Sequence, residues 1–393
     1  MNDRKGFTLV EVVIILIVLS ILAAVAVPMA LKIFERTAED ATREEMDNIK
    51  KALLGNPQKL QTSFRNDFGF LGDIGCLPTT ALGGLDRLST AGTYPTPFNF
   101  DSTKQAGAGW KGPYITGTPG EDFKKDQLGN DYVYAPAAGT CPLTATLTSN
   151  GLDQTTTSDD ITVTIVANDT TATIRGTVKN TGGAGLAGVP VELYYPDNGT
   201  LTTVTVPGTD ANGNYSFSSV PFGARAVKAN PPGLLLVPNS VSVGGAGNAF
   251  VTFNVANYSG SSITIDNLVV NCAGTGATRY DDITVDGGAD ITSANNIVCD
   301  PAPAPPGTDV TDQTFIANST PPSALRVVVD SPDTQLPDMV LRGGTIGTFV
   351  IGRFETTPPP PGAAVDMSGG KTITVSFYDT AAVLISTITV VTP

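Results

Sequence analysis

The chain has 393 residues, 23 basic and 37 acidic, for a formal net charge of −14, a length suited to two or three domains. It contains no histidine, which removes the commonest general base, the serine and cysteine triads and most catalytic zinc sites, though not a carboxylate-only glycosidase. The acidic balance lacks the basic stripe that nucleic acid requires, so no nucleic-acid partner is expected, and a low charged fraction with 42 Gly and 29 Pro favours turn-rich β-sandwiches over an α/β enzyme.

The chain opens Met1-Asn2-Asp3-Arg4-Lys5-Gly6, a polar leader whose two basic residues predict a cytoplasmic N-terminus. From Phe7 to Leu31 the one charged residue is Glu11. As a helix this run spans roughly 37 Å, enough to cross a bilayer. It is too long for the apolar region of a conventional signal peptide, and no A-x-A-like cleavage site ends it. An amphipathic continuation follows over Lys32–Leu54, with Phe34, Ala38, Ala41, Ile49 and Leu53 at helical spacing. Glu39–Arg43 and Asp47–Lys51 are favourable i,i+4 pairs, and Gly55 and Pro57 end the helix.

Glu11 stands out, because an acid inside a membrane span is costly and usually functional. A cut after Gly6 would give Phe7 a free amine, which Glu11 of a neighbouring subunit could neutralise. The alternative is a glutamate that snorkels to the interface.

Lys5-Gly6-Phe7-Thr8-Leu9-Val10-Glu11 resembles the signature of type IV prepilins and type II secretion pseudopilins. The resemblance implies that a prepilin peptidase cuts after Gly6 and methylates Phe7. It also implies assembly into a homo-oligomeric filament by an inner-membrane platform and its ATPase. The chain would reside in the inner membrane before assembly, and then in a periplasmic or cell-surface filament. Pro28 matches the family's helix-kinking proline, a residue that removes one backbone hydrogen bond.

In the head, Cys76-Leu77-Pro78-Thr79-Thr80, Gly109-Trp110-Lys111-Gly112-Pro113-Tyr114 and Asp126-Gln127-Leu128-Gly129-Asn130-Asp131-Tyr132-Val133-Tyr134 resemble phrases of the major pseudopilin, with Leu128 in place of a tryptophan. Ser149-Asn150-Gly151-Leu152-Asp153 and Ser158-Asp159-Asp160-Ile161 resemble that family's calcium-loop ending, without its glycine pair and with Ser158 replacing an acid. On residue type alone, Asp153, Asp159 and Asp160 offer hard oxygen ligands to Ca²⁺, which wants six to eight; solvated loop acids are the alternative. Trp110 reads as a core or subunit-contact residue.

Four cysteines, Cys76, Cys141, Cys272 and Cys299, form no CxxC pair and fit disulfides in an oxidising compartment. Of three possible pairings, proximity along the chain favours Cys76–Cys141 and Cys272–Cys299, with buried free thiols as the alternative.

From about residue 170, short segments alternate apolar and polar residues like strands. Ala187-Gly188-Val189-Pro190-Val191 and Asp210-Ala211-Asn212-Gly213-Asn214-Tyr215 resemble the carboxypeptidase regulatory-like (CnaB-like) sandwich, which implies a non-enzymatic spacer or stalk. Asn212-Gly213 predicts a hairpin. Some relatives of that fold form a Lys–Asn isopeptide bond, for which Lys179, Glu192 and Asn230 are the residue types present. The final segment reads as an immunoglobulin-like sandwich.

The expected architecture is α+β, a long N-terminal pilin helix with a small pseudopilin-like head followed by two all-β sandwich domains. Its boundaries are a leader at 1–6, the helix at 7–55, the head at 56–166 and sandwiches at 167–240 and 241–393. The expected function is structural: a filament subunit displaying its β domains outward, or a minor tip subunit acting as adhesin or substrate-binding module. No nucleophile–base pair supports an enzyme.

Overall fold

The computed structural model describes residues 9–61, 64–115, 122–151, 159–292, 295–317, 323–356 and 362–393. The chain divides into two compact units, Met1–Phe98 with Gly109–Thr170, and Asn99–Ala108 with Thr171–Pro393.

The first unit is built on helix α1, Leu9–Leu54, with Pro28 inside it. Every residue from 9 to 37 is exposed. Beyond that, Thr42, Met46, Ile49 and Leu53 follow the i, i+4, i+3, i+4 spacing of one helical stripe, and each is at most 1% exposed. Phe34, expected on that stripe, is 71% exposed, because the head begins to cover the helix about one turn later. Asp47 and Lys51 pair at 2.5 Å. The helix stops at Gly55, which adopts φ +80° and donates its N–H to the Lys51 carbonyl at 2.6 Å. A Cβ there would meet the Asp67 carbonyl oxygen at 2.2 Å, so glycine is required on both counts.

Against this stripe lies a short helix α2, Gly69–Ile74, whose Phe70, Leu71 and Ile74 are fully buried. Strands β1 (Val133–Pro136), β2 (Ala145–Ser149) and β3 (Ile161–Ile165) form an antiparallel sheet in that order. Cys76 and Cys141 are joined in a disulfide, with Cα atoms 5.0 Å apart.

The second unit holds two sandwiches. In the first, β4 (Thr171–Asn180), β5 (Val191–Asp197), β6 (Thr200–Val206), β7 (Asn214–Pro221) and β8 (Gly223–Ala229) follow one another along the chain. They are joined by three strands from much later: β9 (Leu325–Val329), β10 (Asp333–Gln335) and β11 (Met339–Leu341). One sheet runs β6-β5-β8-β9; in the other, β7 pairs with β4, which also carries β10 and β11. Buried residues include Ile174, Val178, Leu193, Phe217 and Val227. The hairpin Asn99–Asp101/Ala106–Ala108 places Ala106 in a cluster with Tyr194 and Ala226.

The second sandwich orders Leu234–Leu236, Phe250–Asn257, Ile346–Gly352 and Asp282–Val285 in one sheet, and Thr308–Phe315, Ile263–Asn271, Thr372–Tyr378 and Leu384–Val391 in the other. Their inner faces share one core containing Phe253, Ile265, Phe349 and Phe377, with the Phe253 and Phe349 rings stacked at 5.6 Å. Cys272 and Cys299 are bonded beside it.

Two sequence expectations change. The boundary drawn at 240 cuts across the pairing: Leu234–Leu236 belongs to the second sandwich, and residues 325–341 complete the first. Alternation identifies a strand but not its partner. Asn212-Gly213 forms a turn but no hairpin, because the strand after it, β7, pairs with β4 rather than with β6. The tight hairpin is at Asn198-Gly199, between β5 and β6, where both residues have positive φ.

Candidate functional site

Helix α1 divides into two surfaces with different demands. Its outer half includes an 18-residue window with mean hydropathy 3.1, none of it buried in this chain. Leu9, Ile14, Leu16, Ile21, Leu22 and Val25 are each at least half exposed. Apolar surface on this scale requires lipid or other apolar helices to cover it. The few hydroxyls in or beside this half are satisfied on the helix itself: Ser20 Oγ donates to the Ile17 carbonyl at 2.8 Å, and Thr37 Oγ1 to the Ile33 carbonyl at 2.9 Å. Glu11 lies exposed near the outer end of the described helix. Pro28 sits further along the same bare half. Gly6 and Phe7 lie outside the described residues.

The inner half is seated in the head by a turn that the sequence presents as Asp126-Gln127-Leu128-Gly129-Asn130. Asp126 is 5% exposed. Its Oδ1 accepts from the Leu128 and Asn130 amides at 3.0 and 2.8 Å, and its Oδ2 accepts from Ser149 Oγ at 2.7 Å. So held, the turn directs the Gln127 amide N–H to Thr42 Oγ1 at 3.4 Å and the Tyr132 hydroxyl to Glu45 Oε2 at 3.0 Å. Burial, then the Glu45 carboxylate, push the Tyr132 pKa well above the ordinary tyrosine value. Lys50 pairs with Asp169 at 3.3 Å near the far end of the helix. Sequence reasoning missed Glu45 and saw Asp126 only as part of a family phrase. Glu45 occupies the inward stripe of α1, and Asp126 opens a turn motif; those were the available signals.

Beside this seat is a cleft lined by Glu35, Glu39, Thr42, Leu128, Ser149 and Asp159, among others. Leu128, standing where the resemblance implies a tryptophan, is 36% exposed at its edge. Asp159 lies against Gly151, where an added Cβ would meet its Oδ2 at 2.3 Å. Asp160 is half-buried next to it, and Asp153 falls outside the described residues. The oxygen donors present suit a hard cation in kind. Among the described residues, however, Asp159 and Asp160 join no third carboxylate within ligand distance.

Trp110 packs within the head. Its indole N–H donates to the Arg87 carbonyl at 2.8 Å, and its ring meets Tyr114 edge-on at 5.8 Å. Lys179, Glu192 and Asn230 do not come together. Lys179 pairs with Asp338 at 2.7 Å, Glu192 accepts from the Tyr194 hydroxyl, and the Asn230 amide bonds to Pro190.

Residues 1–27 match the family model for the prokaryotic N-terminal methylation motif. Over 134 residues the chain is 31% identical to the type II secretion system core protein G of Vibrio cholerae serotype O1, covering 34% of this chain and 72% of that protein. Among solved structures, the major pilin subunit of Bacillus cereus aligns at 11% identity, covering 56% of this chain and 68% of that one, with a TM-score of 0.17. A streptococcal ancillary pilin aligns at 12% identity over 55% and 75%, with a TM-score of 0.18. At such scores the structural likeness carries no argument.

A methylation-type N-terminus on a helix that is bare for half its length and seated in a head for the rest defines a class: subunits of pilus or secretion filaments, structural proteins with a membrane-anchored precursor. The identity to the Vibrio protein, over most of that protein's length, goes further. This chain belongs to the type II secretion system core protein G family.

Proposed function

We propose that α1 packs into the core of a homo-oligomeric filament while the second unit is displayed on its outside. Processing by a prepilin peptidase at Gly6–Phe7 and assembly by an inner-membrane platform with its ATPase precede this. The observation that carries the reading is the contrast along α1. Residues 9–37 are all exposed, whereas Thr42, Met46, Ile49 and Leu53 are sealed in the head. The outer half can serve lipid before assembly and neighbouring helices after it, with the head unchanged. An epitope tag inserted at Asp379–Ala382, an exposed turn of the second sandwich, tests the display. Antibody should decorate sheared filaments along their length. Filaments that contain the subunit yet bind no antibody refute outward display, and labelling confined to filament ends identifies a tip subunit.

The oxygen-rich cleft supports a second, smaller reading: Ca²⁺ is held where Asp159 meets Gly151, with Asp159 as a ligand. Its support is the position of the Asp159 carboxylate, turned back onto Gly151 beside the helix acids Glu35 and Glu39.

A further inference from the structure

Strand β6, Thr200–Val206, lies at the edge of its four-stranded sheet, and the turn before it fixes which of its backbone groups face outward. In the two-residue turn at Asn198-Gly199 both residues have positive φ, so the flanking pair Asp197 and Thr200 is hydrogen-bonded. Bonded and non-bonded pairs alternate along an antiparallel ladder. Thr202, Val204 and Val206 therefore bond to β5, opposite Tyr195, Leu193 and Val191. The N–H and C=O groups of Leu201, Thr203 and Thr205 point away from β5, and among the described residues no backbone group bonds to them.

A bare edge invites another strand, and folded chains guard their edges with charge, proline or bulges. Several edges of these sandwiches are guarded in this way. Thr308–Phe315 carries Asp309 and Asp312, and Asp282–Val285 opens on an acid. β9 carries Arg326, and β7 has a bulge between Phe217 and Val220 and ends on Pro221. Leu384–Val391 is uncharged, but its Ser386 hydroxyl donates to the Leu234 carbonyl of the facing sheet at 2.6 Å. β6 has no such guard. It consists of Thr, Leu and Val alone, and Thr203, Val204 and Thr205 are exposed.

We propose that β6 is a self-complementary docking edge for a second copy of this chain, and that the contact joins subunits displayed on separate filaments. The proposal rests on the reading that the second unit is displayed outward. Thr203 is the central residue of β6, and the outward backbone groups are placed symmetrically about it. Two copies laid antiparallel set Thr203 against Thr203, and Leu201 of each against Thr205 of the other. Every such pair exchanges two hydrogen bonds, so the two sheets merge into one. Threonine opposite threonine is a favourable cross-strand pair. Charge selects the occupant: copies that each carry −14 repel over most of their surfaces and approach best where charge is lacking. Symmetry places the contact. A strand paired antiparallel with itself makes a twofold contact, whereas neighbours along a helical filament meet head to tail. The pair therefore bridges filaments.

All four native cysteines are in disulfides, so an added thiol reports on this edge. Under mild oxidation, sheared filaments of Thr203→Cys should yield a disulfide-linked dimer, because a hydrogen-bonded pair has Cα atoms about 5.5 Å apart. Thr200→Cys should yield little, since its two copies would lie roughly 20 Å apart. Thr203→Lys sets like charges opposite each other. Low-speed sedimentation should then show a several-fold loss of bundled filaments, with total sheared yield unchanged. Equal cross-linking at the two positions, or none at Thr203→Cys, overturns the pairing. Unchanged bundling in Thr203→Lys overturns the bridge between filaments. The same cross-link is measured on the full-length chain in detergent at high concentration, where a missing filament does not affect it. Absence of filaments with the parent chain counts against the filament reading, whereas loss of the cross-link alone refutes only the docking edge.

Discussion

Tyr132 reaches from the head to Glu45 on α1, donating its hydroxyl to Oε2 at 3.0 Å. The bond ties the most deeply seated part of the helix to the turn organised by Asp126, and it sets the first prediction. Tyr132→Phe keeps the ring and leaves the part-buried Glu45 oxygen without its donor, at an expected cost of about 1–2 kcal/mol. Glu45→Gln retains an acceptor and should cost less. Denaturant midpoints of the detergent-solubilised chain check the order. A Tyr132→Phe protein as stable as the parent would show that the bond adds nothing to the seat.

The head should also weaken in alkali. Burial raises the pKa of Tyr114, with Asp73 adding to it; burial and Glu45 raise that of Tyr132, and burial that of Tyr134. The unfolded chain loses these protons near pH 10, while the folded head keeps them. Above that pH the native state binds more protons than the unfolded state, so stability falls as pH rises; below it the contribution is fully present. Unfolding free energy measured from pH 8 to 11.5 should be level and then decline. Tyr132→Phe should make the decline shallower, whereas an identical slope would assign it to other groups.

What the sequence showed and what it hid follow from the reach of each signal. α1 was legible because hydropathy, Gly55 and the i,i+4 pairs are local. Most strands of the two sandwiches were legible for the same reason, as alternating segments. The partnership of β4 with residues 333–341 was not, since nothing in an alternating segment encodes a partner more than 150 residues away. The seat was half legible. The phrase from Asp126 to Tyr134 was visible as a family resemblance, but its purpose depends on Thr42 and Glu45, which the sequence presented as one ordinary and one charged position on an amphipathic helix.

The calcium reading leads to a chelation experiment. If Ca²⁺ binds the folded loop and not the unfolded chain, saturating Ca²⁺ raises the melting temperature by mass action, and chelator removes the gain. Asp159→Asn should abolish the difference between the two conditions with little change in the chelated baseline. Melting curves that coincide with and without chelator would exclude the site.

The proposed filament gives Glu11 a role in assembly. Its carboxylate sits within the apolar half of α1, where ionised groups are costly unless partnered. Under the proposed processing at Gly6, the Phe7 amine would be a second such charge, four residues along the chain. Within one helix the two lie about a turn apart and can interact. The intermolecular version, in which Glu11 of one subunit neutralises the amine of the next, makes the sharper claim, because the pairing then exists only in the assembly. Glu11→Gln keeps the size and removes the charge. A neutral amide costs less in hydrocarbon, so the membrane pool should hold or rise. Filament yield should fall, because the neighbour's amine loses its counter-charge. Glu11→Ala should behave the same way, while Glu35→Gln, on the polar continuation of the helix, should leave assembly unchanged. Sheared-filament yield, measured beside the membrane pool of each variant, separates insertion from assembly. A Glu11→Gln strain with normal membrane levels and normal filament yield would rule out the pairing as the driver of assembly.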